Sequence, residues 1–76
     1  MNADNLIHMA NRIGQFFEAM PERDEALEGI ANHLQKFWDP LMRRQFLALV
    51  DEGHTDISDI VRLAMQAHRE RVVPSL

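Results

Sequence analysis

The sequence predicts an all-α protein, a small bundle of about four short helices joined by tight turns. Apolar residues recur at intervals of three and four in four successive segments, which is the period of one helix face. No run alternates apolar and polar residues as a half-buried strand does, and tyrosine is absent. A chain of 76 residues forms one domain at most, so we expect a single helical domain over residues 1–76.

The first helix is predicted from Asp4 to Met20, with Asn2 or Asp4 as its N-cap. Its apolar residues form two adjacent rows: Leu6, Met9, Ile13, Phe16 and Met20 in the first, and Ile7, Ala10, Gly14 and Phe17 in the second. Two rows cover more of the surface than a helix on the outside of a globular protein usually buries. Gly14 indicates either a close approach of another backbone or a tolerated weak point.

The second helix is predicted to open at Met20-Pro21-Glu22 and to end near Trp38, with Gly29 on its outer side. Its apolar face consists of Leu27, Ile30, Leu34 and Phe37. A residue that precedes proline avoids helical dihedral angles, so Asp39 must leave the helix. Asp39 is then the N-cap of the third helix and Pro40 its first residue. Trp-Asp-Pro is therefore predicted to be a sharp joint between two helices.

The third helix is predicted from Pro40 to a stop at Gly53, and the fourth helix from Thr55 or Asp56. The apolar faces of these two helices contain Met42, Phe46, Leu49 and Val50 in the third, and Ile57, Ile60, Val61, Ala64 and Ala67 in the fourth. Residues 72–76 are largely apolar without a helical period. We expect them to be a flexible tail or a segment that docks on a partner.

The residues that carry chemistry do not form a catalytic pattern. The chain has no cysteine, which excludes disulfides and thiolate ligands for zinc or iron–sulfur clusters. No two of the four histidines have the four-residue spacing of a helical metal site. The carboxylates group at helix ends, as solvated charges do, and neither serine lies in a nucleophile motif. We therefore predict no catalytic, metal-binding or cofactor-binding residues in this chain.

Charge and hydropathy also restrict the partners. The net charge is −4 and no segment is strongly basic, which gives no support to nucleic-acid binding. A helix-turn-helix formed by the last two helices would place Asp56 and Asp59 where DNA is contacted. No apolar run reaches the roughly 18–20 residues that cross a membrane, and residues 1–20 lack the pattern of a signal peptide. The sequence predicts a cytoplasmic protein without membrane contact.

Association with another protein is the function that these observations favour. The second apolar row of the first helix needs a cover, and Trp and Arg are enriched at binding hot spots. The candidate partner-binding residues are Phe17, Trp38, Asp39, Pro40, Met42, Arg43 and Arg44. Two alternatives remain open: a compact bundle covers the first helix on both sides, and Trp38 is an internal wedge that fixes the angle between helices.

A resemblance to a known family supports the association. The segment IANHLQKFWDPLMRRQFL, from Ile30 to Leu47, resembles the delta subunit of cytoplasmic NAD-dependent formate dehydrogenases. The specific part is Phe-Trp-Asp-Pro-x-Met-Arg, from Phe37 to Arg43, and the segments LIHMANRIGQFFEAMP and DISDIVRLAM also fit. Such enzymes oxidise formate to carbon dioxide and pass the electrons to NAD.

The resemblance implies a non-catalytic accessory subunit. It would bind the catalytic alpha subunit and support assembly, cofactor insertion or stability of the complex. Molybdopterin guanine dinucleotide, iron–sulfur clusters and FMN would then be held by partner subunits. The alternative function is a small helical regulator that binds nucleic acid or acts as a homodimeric interaction module. A homodimer of the isolated delta subunit, formed through the surface intended for the alpha subunit, would be compatible with this interpretation.

Overall fold

A computed structural model of the protein describes residues 2–75. It contains five helices: α1 Ala3–Glu18, α2 Arg23–Phe37, α3 Pro40–Asp51, α4 Asp59–Ala67 and α5 Arg69–Val72. Within this part of the chain there is no strand, and the all-α prediction is confirmed. The periodicity does not predict the single turn α5.

The predicted helix boundaries at three places are confirmed by cap geometry. The side chain of Asn2 accepts a hydrogen bond from the backbone N–H of Asn5 at 2.8 Å. Asp39 accepts from the backbone N–H of Met42 at 2.8 Å, with Pro40 as the first residue of α3. Gly53 follows the end of α3 with a φ of 80°, the left-handed conformation that ends many helices. Local chemistry therefore determines these three ends.

The core forms around α2. This helix packs against α1, α4 and α5, and α1 packs in addition against α3 and α4. The largest fully buried side chains come from all five helices and from the loop before α4: Leu6, Ile30, Leu34, Phe46, Ile57, Ile60, Val61, Met65 and Val72. Burying each of them contributes about 1.5–3 kcal/mol. Every element therefore contributes to a single core.

The fourth helix begins later than predicted, at Asp59 rather than at Thr55 or Asp56. A loop joins α3 to α4, and Ile57 in this loop is buried in the core. The prediction was wrong because polar groups distant in sequence bind the loop backbone, which gives it an alternative to helical hydrogen bonds.

Two side chains hold this loop. Asn11 of α1 donates to the carbonyl of Asp56 and accepts from the backbone N–H of Ser58, both at 2.9 Å. Arg62 of α4 donates to two further carbonyls of the loop, each at 2.9 Å. The loop is thus tied to both neighbouring helices, and α4 starts where these bonds end.

The predicted tail also needs a correction. Val72 is completely buried at the end of α5, so it belongs to the core. Arg69 of the same turn binds Asp51 of α3 through two hydrogen bonds, at 3.0 and 2.8 Å. Val73 is exposed, and the flexibility of residues 73–76 stays a prediction. The final residue lies outside the described part of the chain.

Two glycines lie where helices approach closely. A Cβ added at Gly14 would lie 2.7 Å from Cγ2 of Val61 and 3.1 Å from Cγ2 of Ile60, both on α4. Of the two interpretations of Gly14, the structure favours the close approach, although the atoms that come near belong to side chains of α4 and not to its backbone. The prediction for Gly29 is wrong, because this residue lies under the ring of Phe17 and not on the outer side of α2. Both contacts depend on the missing Cβ.

Substitution of Gly14 measures how tightly α1 and α4 pack. Alanine is the better helix former by about 1 kcal/mol, but overpacking a filled site costs about 1–3 kcal/mol. We expect Gly14→Ala to lower the free energy of unfolding by about 1 kcal/mol in urea denaturation. Gln15→Ala, at the next and exposed position, is the control and should change stability by less than about 0.5 kcal/mol. A more stable Gly14→Ala variant would contradict the close approach of α4.

Candidate partner-binding surface

The candidate residues around Trp38 do not form one exposed patch. The side chain of Trp38 is only 6% exposed. Its ring packs edge-on against Phe46 of α3, with the ring centroids 5.7 Å apart. The indole therefore lies between α2 and α3 and holds the angle at which they meet. Of the two interpretations of Trp38, the structure favours the internal wedge.

The next two residues have structural roles at the same joint. The carboxylate of Asp39 is occupied by the N-cap hydrogen bond described above, although the residue itself is exposed. Pro40 provides the first turn of α3, where a missing N–H is tolerated. Met42 is partly buried and packs against the core. These residues build the joint, and direct contact with a partner is not needed to explain them.

The two consecutive arginines of α3 have different environments. Arg43 is half-buried, and its guanidinium donates to the carbonyls of Trp38 at 3.2 Å and Val72 at 3.3 Å. Arg44 is exposed. Adjacent residues of a helix point about 100° apart, so the two guanidinium groups lie in different surroundings. Arg43 connects the ends of α2 and α5, and Arg44 remains accessible.

Both apolar rows of α1 are largely used inside the bundle. In the second row, Ile7, Ala10 and Gly14 are buried. In the first row, Leu6 is buried, whereas Phe16 is 74% exposed. The expectation of an entire uncovered row is therefore wrong, because α2, α3 and α4 surround α1 on more than one side. The uncovered apolar surface lies near the carboxyl end of the helix.

A row of aromatic rings crosses from α1 to α2 on this uncovered side. The ring centroids of Phe16 and Phe17 are 5.1 Å apart, those of Phe17 and His33 are 6.3 Å apart, and those of His33 and Phe37 are 4.8 Å apart. We call these four residues the aromatic strip. Its two ends are the most exposed large apolar residues of the described chain, since Phe37 is 69% exposed.

The candidate residues did not include three members of the strip, Phe16, His33 and Phe37, but the sequence contains a signal for the two phenylalanines. Phe16-Phe17 and Phe37-Trp38 are pairs of consecutive aromatic residues. Neighbouring helical positions diverge by about 100°, so both members of such a pair rarely enter the same core. Each pair therefore predicts one ring at the surface. Phe17 was a candidate residue and is partly buried over Gly29.

A groove continues from the aromatic strip along α1 and α2. It has a volume of about 410 Å³ and is lined by His8, Met9, Arg12, Ile13, His33 and Trp38. We call it the α1–α2 groove. Met9 and Ile13 are partly buried beneath it, and the small exposed part of Trp38 forms one of its sides. The lining thus combines apolar side chains with one guanidinium group and two imidazole rings.

The arrangement of polar groups gives no evidence of a metal centre or a membrane span. Among residues 2–75, no three His, Asp or Glu side chains lie close enough together to hold a metal ion. None of the helices in this range combines the length and apolarity that are required to cross a bilayer. The absence of bound cofactors in this chain stays a prediction.

Comparison with known proteins identifies the family. The sequence model of the NADH-dependent formate dehydrogenase delta subunit family, FdsD, matches residues 5–65, which is most of the chain. The chain belongs to this family. No curated protein and no solved structure matches it. The resemblance inferred from the Phe-Trp-Asp-Pro segment is thus confirmed.

The delta-subunit match covers the joint, the aromatic strip and the α1–α2 groove. It does not test which residues contact another subunit. Partner binding by the seven candidates, from Phe17 to Arg44, therefore stays a prediction. The structure adds that two of them, Trp38 and Arg43, are engaged inside the delta subunit itself.

Substitutions at the joint separate buried from exposed aromatic residues. We expect Trp38→Ala to lower the free energy of unfolding by about 3–5 kcal/mol, the usual cost of emptying a large buried aromatic site. Trp38→Phe should cost less and keeps the test informative if the alanine variant fails to fold. Phe37→Ala, at the adjacent exposed position, is the control and should change stability by less than about 0.5 kcal/mol. Equal stabilities of the two alanine variants in urea denaturation would place the indole outside the core.

The two arginines provide a second matched pair. Arg43→Met keeps the apolar stem but removes two hydrogen bonds to carbonyls, and we expect a loss of about 1–2 kcal/mol of stability. Arg44→Met removes an exposed charge and should be neutral within about 0.5 kcal/mol. Thermal unfolding of both variants measures the difference. A neutral Arg43→Met would show that its bonds to the ends of α2 and α5 contribute nothing.

Proposed function

We propose that this chain is a non-catalytic accessory subunit that binds the catalytic alpha subunit of a formate dehydrogenase. In this role it supports assembly, cofactor insertion or stability of the complex in the cytoplasm. The observation that carries the proposal is the delta-subunit family match over residues 5–65. A delta subunit belongs to a complex with other subunits. The identity of the contacted subunit is our inference.

The exposed aromatic rings support a binding role. Two of the four phenylalanines, Phe16 and Phe37, keep more than two thirds of their surface in water. Full burial of such a side chain is worth about 1.5–3 kcal/mol, and a domain this small gains much from every buried ring. Covering both rings in a complex would recover that free energy.

The redox chemistry of the complex is assigned to other subunits in this proposal. Iron–sulfur clusters are held by cysteine thiolates, and this chain has none. Molybdopterin guanine dinucleotide, iron–sulfur clusters and FMN are therefore expected in the partner subunits. The delta subunit would bind its partner and thereby support the folding of that partner or the insertion of its cofactors.

No structural observation favours the alternative of a nucleic-acid regulator. In a helix-turn-helix arrangement, the start of α4 would contact DNA. That start carries Asp59, which pairs with Arg62 at 3.2 Å. Arg62 is also bound to two carbonyls of the preceding loop, so its guanidinium is engaged within the protein. The homodimer alternative is compatible with the exposed rings.

Co-expression tests the proposed function. A tagged delta subunit should co-elute with the catalytic subunit in size-exclusion chromatography. The complete enzyme made without the delta subunit should show lower formate-dependent NAD reduction or lower molybdenum content. Adding purified delta subunit afterwards distinguishes two roles, since a permanent subunit restores activity and an assembly factor does not. Absence of co-elution, together with unchanged activity and molybdenum content, would contradict the proposal.

A further inference from the structure

The exposed rings of the aromatic strip are held in place by their neighbours. Phe16 packs edge-on against Phe17 at an interplanar angle of 88°, and Phe17 in turn covers Gly29. At the other end, Phe37 contacts the ring of His33. Rings that are already ordered lose little conformational entropy when a partner covers them. This is the usual condition of aromatic anchors at the centre of an interface.

The α1–α2 groove is a shallow, open depression beside these anchors. Phe16 lies one helical turn beyond Arg12 and Ile13 of the groove, and Phe37 lies one turn beyond His33. The groove has a volume of about 410 Å³ and is wide open to solvent. Its floor is apolar and it lies along two helices. Such a shape fits the side chains of a helix that lies across it.

The charges of the groove differ from those of the whole chain. The chain carries a net charge of −4, yet the groove lining includes Arg12 and two histidines and no carboxylate. Arg12 and His8 also line a neighbouring pocket, and that pocket contains one carboxylate, Glu18 of α1. Opposite charges across an interface set the choice of partner and the orientation of binding. The groove is therefore suited to an acidic group on an otherwise apolar segment.

Arg12 is the cation of the groove that is available for such a group. Within residues 2–75, its guanidinium makes no ion pair and donates no hydrogen bond. By contrast, Arg43, Arg62 and Arg69 are bound to carbonyls or carboxylates of the protein. An arginine forms a strong two-point contact with a carboxylate. Arg12 can make this contact without breaking one that already exists.

We propose that the α1–α2 groove, with Phe16 and Phe37 as anchors, docks a helix of the catalytic alpha subunit. The docked helix presents apolar side chains to Met9, Ile13 and the two anchors, and an Asp or Glu to Arg12. The proposal rests on the proposed function, because it takes the alpha subunit as the partner. It differs from the earlier candidate set, which centres on the joint between α2 and α3.

Binding measurements on the full-length delta subunit and the catalytic subunit test this surface. The groove variants are the double substitution Phe16→Ser with Phe37→Ser, and the charge reversal Arg12→Glu. Arg12→Lys keeps the charge. Leu63→Ser and Gln66→Glu change exposed positions of α4 and are the matched controls. Thermal unfolding of each free variant checks that the fold is intact.

The groove variants should bind the catalytic subunit at least about 10-fold more weakly than the wild type, as loss of hot-spot contacts does. Arg12→Lys and both α4 controls should bind within about threefold of the wild type. Binding of Arg12→Lys should weaken with added salt more than binding of Arg12→Glu.

The remaining outcomes separate the two proposals. If the wild type binds and the groove variants bind equally well, the groove is wrong and the proposed function stands. If Arg44→Glu weakens binding while Arg12→Glu does not, the partner contacts the exposed side of α3 instead. If the double substitution at Phe16 and Phe37 dissociates a homodimer of the delta subunit but leaves its affinity for the catalytic subunit unchanged, a second copy of the chain occupies the groove. That result would overturn the proposal. If the wild-type delta subunit does not bind the catalytic subunit, the proposed function is wrong, and the groove proposal that rests on it is wrong as well.

Discussion

The contact between Trp38 and Phe46 across the α2–α3 joint is the interaction on which the arrangement of the helices depends. Asp39 and Pro40 force the chain to leave one helix and start another without a connecting loop. The indole fills the space that this sharp turn creates. Arg43 then binds the carbonyl of Trp38 and also reaches the end of α5. One joint thus sets the positions of three helices in a chain with no disulfide to stabilise it.

A second constraint is the way in which α1 enters the bundle. Its two apolar rows suggest more apolar surface than a small domain can bury. The missing side chain at Gly14 lets α4 approach, and the missing side chain at Gly29 makes room for Phe17. Glycine costs about 1 kcal/mol of helix propensity at each position, and the close packing offsets this cost. On α1, the large apolar side chain that remains exposed is Phe16, at one end of the aromatic strip.

The sequence predicts the structural features that depend on residues near one another in the chain. It does not predict the features that depend on contacts between residues far apart in the chain. Helix periodicity and the caps at Asn2 and Asp39 were predicted because the responsible groups are near in sequence. The start of α4 was not, because it depends on Asn11, which lies more than forty residues earlier in the chain than the groups it binds. The candidate site shows the same limit. Sequence identified the residue types of a binding surface, but Trp38 faces inward while Phe37 faces outward.

The opposite orientations of Phe37 and Trp38 affect how the Phe-Trp-Asp-Pro motif is interpreted. The Phe-Trp-Asp-Pro segment is specific, and specificity is easily taken as a sign of direct contact. Here Trp38, Asp39 and Pro40 build the joint, whereas Phe37 stands on the surface. The joint fixes where α2 ends, and with it the distance from Phe37 to Phe16. A substitution of Trp38 would then weaken association by displacing Phe37, even where the indole itself is not the contact that is lost. Loss of binding therefore assigns a contact only for a variant whose stability is unchanged.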